Sequence, residues 1–395
     1  MQPVRVLAVT QALCMSGSFL LVMLGGIIGS TLAPSASLAT LPVSTLILGL
    51  ATSVLPSGVL IRRFGRRPVF AGSAVLAAIG CVIAGVSITH GSFAGFCTAA
   101  FLMGANNAVV MQYRFAAVEY VELPRASRAI SIVMSGALVA AWLGPEVAVR
   151  AAPLVAGAEY AGSFYTGSGL YLLSALMLAR LAPSSAPPLA TIEPARPLAV
   201  IAAQPDFRVA VLAALVSYAV MSFIMTATPI SMHVMDGHGE LATARVIQAH
   251  LFAMYLPSLA SGWIIARFGD RQVIAAGAVL MLACVAIAAF AGHAVMHYAW
   301  ALVLLGVGWN FMFIAATTLL TRTYRPHERI QAQTLNDFLV FGSQAGASLA
   351  AGAALASIGW RLLNLAALPA IAAVLAALAL TRARRAPAPD PAGAG

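Results

Sequence analysis

Lysine is missing altogether: all 22 basic residues are arginine, and against 12 acidic ones they give a formal charge of +10. Charge of either sign is scarce, at 9% of 395 residues, where soluble domains carry roughly 25%, while hydrophobic residues reach 61%. A chain with so little charge cannot present an ordinary soluble surface. It reads as a polytopic membrane protein whose first partner is the lipid bilayer. Without lysine no G-x-x-x-x-G-K-[ST] phosphate loop can be written, so ATP drive within the chain is not expected. The arginines lie in short loops rather than on one soluble face, so nucleic acid is not expected as a partner. The four cysteines, Cys14, Cys81, Cys97 and Cys284, fall inside apolar runs without CxxC spacing and read as small buried residues. No cluster of nucleophile, acid/base or metal ligands shares a face, so neither an enzyme nor a resident metal or cofactor is expected.

What the chain does contain is a repeat. Ser57 to Arg67, SGVLIRRFGRR, returns about two hundred residues later as Ser261 to Arg271, SGWIIARFGDR. Gly58/Gly262, Arg63/Arg267, Gly65/Gly269 and Arg67/Arg271 match without a gap, as do Gly104/Gly308 and Asn106/Asn310 further on. A duplication of this size in a hydrophobic chain points to a transporter made of two related halves. The glycines are expected to let helix ends and a tight turn approach closely.

Apolar runs long enough to span a bilayer lie near 6–29, 38–61, 69–89, 93–120, 129–150 and 161–181, and again near 208–231, 244–266, 273–292, 295–323, 330–356 and 360–381. The expected architecture is therefore all-α: twelve transmembrane helices in two pseudo-symmetric six-helix bundles, 1–181 and 208–381. A Pro-rich linker (182–207) joins them, and a disordered basic tail (382–395) follows. The first run resembles a secretory signal, but its match to the seventh argues that it is retained. With both termini in the cytoplasm, every arginine except Arg150, Arg245 and Arg361 falls on the inner side, as excess positive charge in cytoplasmic loops requires.

Read from Gly58, Leu60, Arg63, Gly65, Arg66 and Arg67, the first copy resembles the loop 2–3 signature of the major facilitator superfamily, and the second resembles its loop 8–9 echo. The signature usually carries an acid where this chain has Arg62. The resemblance implies a monomeric secondary transporter of a small molecule in the bacterial inner membrane, working by alternating access. It needs no cofactor, and the proton gradient is its coupling ion. In that family helices one, four, seven and ten line the central cavity, which singles out Asn106, Arg114, Tyr218, Trp309 and Asn310 as candidates for substrate binding. For the two asparagines, interhelical hydrogen bonding is the competing reading.

Charge within a span is expensive and marks function or pairing. The resemblance implies that Glu119 pairs with Arg66 or Arg67 as a gate. Asp337 has two readings, a proton-coupling carboxylate or the ion-pair partner of Arg62. Gly144, Pro145 and Glu146 resemble half of a drug exporter's antiporter motif, and Glu146 reads equally as a partner of Arg150 at i,i+4. The resemblance and this motif favour proton-coupled efflux, with uptake of an anionic or hydrogen-bonding nutrient as the alternative. Six histidines, His90, His233, His238, His250, His293 and His297, are expected at the outer rim without forming a metal site.

Overall fold

The computed structural model describes residues 2–122, 125–181, 196–325 and 328–383, and among these all regular structure is helical. The Pro-rich residues 182–195 and the tail 384–395 lie outside the described residues.

In the first half the elements are α1 (Gln2–Leu32), α2 (Leu41–Phe64), α3 (Arg66–Thr89), α4 (Phe93–Val110), α5 (Tyr113–Val118), α6 (Ala126–Arg150) and α7 (Ala161–Ala179). After the short α8 (Leu198–Ala203), the second half contains α9 (Pro205–Pro229), α10 (Glu240–Tyr255), α11 (Ser258–Phe268), α12 (Asp270–Phe290), α13 (Val295–Thr321), α14 (Arg329–Leu365) and α15 (Leu368–Ala383). Met111 and Gln112 divide the fourth expected span into α4 and α5. The eighth is bent by 44° between α10 and α11, where Pro257 lacks the N–H that a continuous helix needs.

Among the described residues nine helices are long and apolar enough to cross a membrane, or ten with the bent pair. The difference from twelve has two causes. Gly, Ser, Thr and Tyr in the first turns of α7 dilute its hydropathy. The stretch Gln331–Thr381 counts once, although Gly359 breaks α14 with φ 72° and ψ 175°.

The duplication is visible in the backbone. Gly65 and Gly269 both close a helix and open the next at φ 84°, a left-handed conformation that side chains disfavour. Gly58 and Gly262, in contrast, have open space where a Cβ would stand, with nothing within 4 Å, so the close approach expected there does not occur. Within the spans, the fully buried hydroxyls of Thr10, Ser16, Ser217 and Thr228 donate back to carbonyls three or four residues earlier, which pairs them within their own helices.

The two halves touch mainly at the end remote from the arginine-rich loops. There α2 meets α14 through Ser44 Oγ and Ser348 Oγ at 2.9 Å, and Thr226 of α9 reaches the same Ser348 hydroxyl at 3.2 Å. Beside them α6 meets α10: the Gln248 amide donates to the Trp142 carbonyl at 3.1 Å.

Candidate functional site

Between the halves the second half gathers aromatic rings. Tyr218 of α9 packs edge-on against Trp309 and Phe313 of α13 and Phe341 of α14, with centroids 5.1, 4.9 and 5.7 Å away. Trp309 and Phe313, one helical turn apart, are nearly parallel at 5.4 Å. Tyr255 at the α10 bend lies 6.2 Å from Trp309, and Phe19 of α1 brings the first half in at 6.1 Å from Tyr255. Offset and edge-to-face geometry at these separations is favourable for aromatic pairs. Six rings from five helices thus form an apolar platform at the junction.

Polar groups border the platform. Ser18 of α1 donates to Asn107 Oδ1 of α4 at 2.7 Å. Toward the arginine-rich end, Arg114 of α5 and Asp337 of α14 come from opposite halves, and each lies near enough to act electrostatically on the other and on the Tyr218 phenol. The Arg114 guanidinium lies over the Phe115 ring at 4.8 Å and its Nε is buried without a hydrogen-bond partner among the described residues. The Asn336 amide donates to Asp337 Oδ1 at 3.1 Å.

Of the expected substrate contacts, Arg114, Tyr218 and Trp309 are brought together here, and the two asparagines are not. Asn310 is fully buried, away from the junction. Its Nδ2 donates to the Met254 carbonyl and to Ser258 Oγ, both at 2.6 Å, and its Oδ1 accepts from Ser261 Oγ at 2.8 Å. It therefore supplies the hydrogen bonds that the broken α10–α11 backbone has lost. Asn106 is also fully buried, and neither of its amide atoms has a nitrogen or oxygen partner among the described residues. The helical phase explains the miss: counting back from Arg114 by seven and three, the shared face holds Asn107 and Met111, whereas Asn106, Val110 and Tyr113 form the buried stripe. The i,i+4 pair Trp309 and Phe313 is readable in the sequence as a second stripe. Phe19, Tyr255 and Phe341 join it only through tertiary packing.

Asp337 is not paired with Arg62. Arg62 is exposed at the end of α2 and makes no ion pair among the described residues. The arginine near enough to act on Asp337 is Arg114. Arg66 does reach Glu119, its Nε donating to both carboxylate oxygens at 3.0 and 2.9 Å. Both residues belong to the first half, so this pair fastens a loop to α5 and does not itself join the halves. Arg63 lies over the neighbouring Phe64 ring at 5.3 Å, and Arg67 is exposed.

At the remote end Glu146, 8% exposed, bonds two arginines: Arg150 of its own helix at 2.7 Å and Arg245 of the other half at 2.6 Å. Tyr160 donates a hydrogen bond across the same seam to Glu240. Burial, and then that carboxylate, push its phenol pKa up. Gly144 has a packing role, since a Cβ there would lie 2.7 Å from the Ser16 carbonyl oxygen. Pro145 lies inside an uninterrupted α6. Among the histidines His250 is a correction to the expected rim: it is fully buried, with Nδ1 bonded to the Leu302 carbonyl at 2.7 Å. His293 does lie at the rim, 2.8 Å from Asp236. No group of metal-ligating residues converges among the described residues.

Two bundles that meet around an interior platform, closed at one end, define a solute carrier. The chain matches the Major Facilitator Superfamily over residues 7–255 and 241–395, and it belongs to that family: a multi-pass secondary transporter of a small molecule, not an enzyme. It is 41% identical over 377 residues to the riboflavin transporter RfnT of Brucella anthropi, covering 95% of this chain and 94% of that one. It is 32% identical to YdeG, an uncharacterised MFS-type transporter of Bacillus subtilis, over 87% of this chain and 83% of the other. Among solved structures, a bacterial homologue of the lysosomal transporter Spinster superposes with TM-score 0.74 at 16% identity, covering 96% of each chain. The nucleoside transporter NupG also gives 0.74, at 15% identity, over 96% of this chain and 98% of that one.

Proposed function

We propose that this protein carries riboflavin, or a closely related flavin, across the bacterial cytoplasmic membrane. The observation that carries the reading is the platform of Phe19, Tyr218, Tyr255, Trp309, Phe313 and Phe341 at the junction of the halves. It is supported by 41% identity, over nearly the whole chain, to a riboflavin transporter. An isoalloxazine is a planar tricycle whose faces stack on aromatic side chains and whose pyrimidine edge offers alternating acceptors and a donor. Asn107, Ser18, Arg114 and Asp337 supply complementary groups beside the platform.

The direction is uptake, the hydrogen-bonding nutrient reading. Efflux leans on Gly144 and Pro145, and the contact of Gly144 with α1 accounts for that glycine through packing alone. With the arginine-rich end and both termini in the cytoplasm, the closed end is periplasmic and the molecule opens inward. Proton coupling places Asp337 as the titrating carboxylate.

Uptake of labelled riboflavin into right-side-out vesicles tests all three parts. Saturable uptake is expected, faster with the outside acidified, and Trp309→Ala or Tyr218→Ala should weaken riboflavin binding at least about tenfold, the loss of one good stacking contact or two. No saturable riboflavin uptake removes the substrate. Faster accumulation in inverted vesicles reverses the direction, and indifference to the pH gradient removes the proton.

A further inference from the structure

The ends of the two bundles are held by unlike means. At the remote end the halves are joined by an ion pair whose acid comes from the first half, Glu146, and whose base comes from the second, Arg245, at 2.6 Å. At the arginine-rich end the charges have the opposite polarity: Arg114 of α5 comes from the first half and Asp337 of α14 from the second, on helices that approach where Arg329 of α14 lies over the ring of Phe115, the residue after Arg114, at 5.9 Å, and where Phe341, one turn from Asp337, packs on Tyr218 at 5.7 Å. Among the described residues no ion pair or hydrogen bond joins those two, and the approach of the halves beside them is loose. Arg114 nevertheless has a buried Nε without an acceptor. A guanidinium nitrogen buried without an acceptor is costly, and Asp337 is the carboxylate on the facing helix that could accept from it.

We propose that Arg114 and Asp337 form the ion pair that locks the arginine-rich end when that end closes, and that this pair is made as the Glu146–Arg245 pair breaks. Each conformation then holds one cross-half ion pair, and substrate entry and exit trade one for the other. A carrier needs its two ends close to balance, because a lock far stronger at one end would trap a single state. Reversed polarity also keeps the locks from exchanging partners: in each half the lock residues carry opposite charges, Glu146 and Arg114 in the first, Arg245 and Asp337 in the second. The proposal rests on the alternation of two ends and not on the flavin reading.

The test reads conformation without substrate. Spin labels at Leu60 of α2 and Thr334 of α14, both exposed near the arginine-rich end, report its opening in a Cys97→Ser background, the other cysteines being buried. Glu146→Gln should raise the short-distance population. Adding Asp337→Asn or Arg114→Gln should lower it again at least about fivefold, the smallest coupling that counts as allosteric, and Arg114→Lys should retain it. The exchange Arg114→Asp with Asp337→Arg should restore what the singles lose. The proposal is overturned if Glu146→Gln raises no short-distance population, if the singles leave that population intact, or if the exchange does no better than the singles. Monodisperse elution of every variant guards against misfolding. Because no flavin enters the assay, its failure leaves the substrate reading standing, and a failed riboflavin assay leaves this one standing.

Discussion

The two halves share a backbone and differ in how they use it. Gly65 and Gly269 make the same turn at the same φ, yet the residues after them are Arg66 and Asp270, opposite charges at equivalent positions. Each finds its partner at the neighbouring helix end: Arg66 pairs with Glu119, and Asp270 with Arg322 at 2.9 Å. The clamp has been kept and its polarity reversed. The asparagines diverge more deeply. Asn310 makes three hydrogen bonds at a broken helix, while Asn106 has no nitrogen or oxygen partner among the described residues and lies beside the Cys14 thiol of α1. Likewise five of the six platform rings come from the second half. Duplication conserved the scaffold and left the second half to specialise.

Substituting the asparagines should separate the halves most sharply. Asn310→Ala strands the Met254 carbonyl and the Ser258 hydroxyl inside the bilayer and leaves Ser261 with only its bond to the Pro257 carbonyl. At the roughly 0.6 kcal/mol average for an interhelical hydrogen bond in membranes, the three bonds predict a loss of about 2 kcal/mol. Asn106→Ala removes a buried amide whose polar neighbour is the Cys14 thiol, a weak hydrogen-bonding group, and should cost clearly less than Asn310→Ala. Thermal unfolding in detergent, followed by fluorescence, measures both. Equal losses at the two positions would mean that Asn106 has a partner, such as a bound water, and the contrast between the halves would fail.

That contrast also shows what can be read before folding. The repeat alone marks the glycine turns and the arginine-rich end, because both follow from local spacing and from where arginine is tolerated, while the pairing of Glu119 with Arg66 or Arg67 is what the family resemblance implies. Asn310 and Asn106 stand out for matching one another, but identity at equivalent positions signals shared ancestry of the helix, not shared contact with solute. Their phase relative to Arg114 is the better guide, and it points to Asn107. Asp337 is legible as a costly charge within a span. The family signature directs the search for its partner to Arg62 at the end of α2, whereas the nearer arginine, Arg114, lies on another helix of the same half, α5. The platform is legible only at Tyr218 and at the i,i+4 pair Trp309 and Phe313, since Phe19, Tyr255 and Phe341 come from three separate helices whose approach no local pattern encodes.

The clamps give a smaller difference. Asp270 is 4% exposed, so Arg322→Ala leaves a nearly buried carboxylate without its ion-pair partner and should cost about 1–2 kcal/mol. The side chains of Arg66 and Glu119 are 20% and 22% exposed, and water compensates in part, so Arg66→Ala should cost roughly 0.5 kcal/mol. Thermal melting of the two variants beside the wild-type protein is the measurement; a larger loss from Arg66→Ala than from Arg322→Ala would contradict the burial of Asp270.

The smallest expected effect is on pH and belongs to the second half's other fastening. Arg196, just before α8, donates from its backbone N, Nε and Nη2 to Glu328 at 3.1, 2.7 and 2.6 Å, and the Arg325 amide adds a fourth bond at 2.8 Å. The Arg196 guanidinium, ahead of the cost of burial and the backbone donors, holds this carboxyl well below the usual carboxylate range. A depressed folded-state pKa stabilises the fold at every pH above the unfolded value, about 4.3 for glutamate. That stabilisation is lost only as pH falls from there through the folded value. The melting-temperature gap between the wild-type protein and Glu328→Gln should therefore stay constant from pH 7 to about 5 and narrow only slightly by pH 4. A gap that widens as pH falls from 7 to 5 would mean a folded pKa above the unfolded one, and a gap that does not narrow at all below pH 4 would mean an unshifted carboxylate; either result would show that the segment ahead of α8 is not fastened to the α13–α14 loop by this pair.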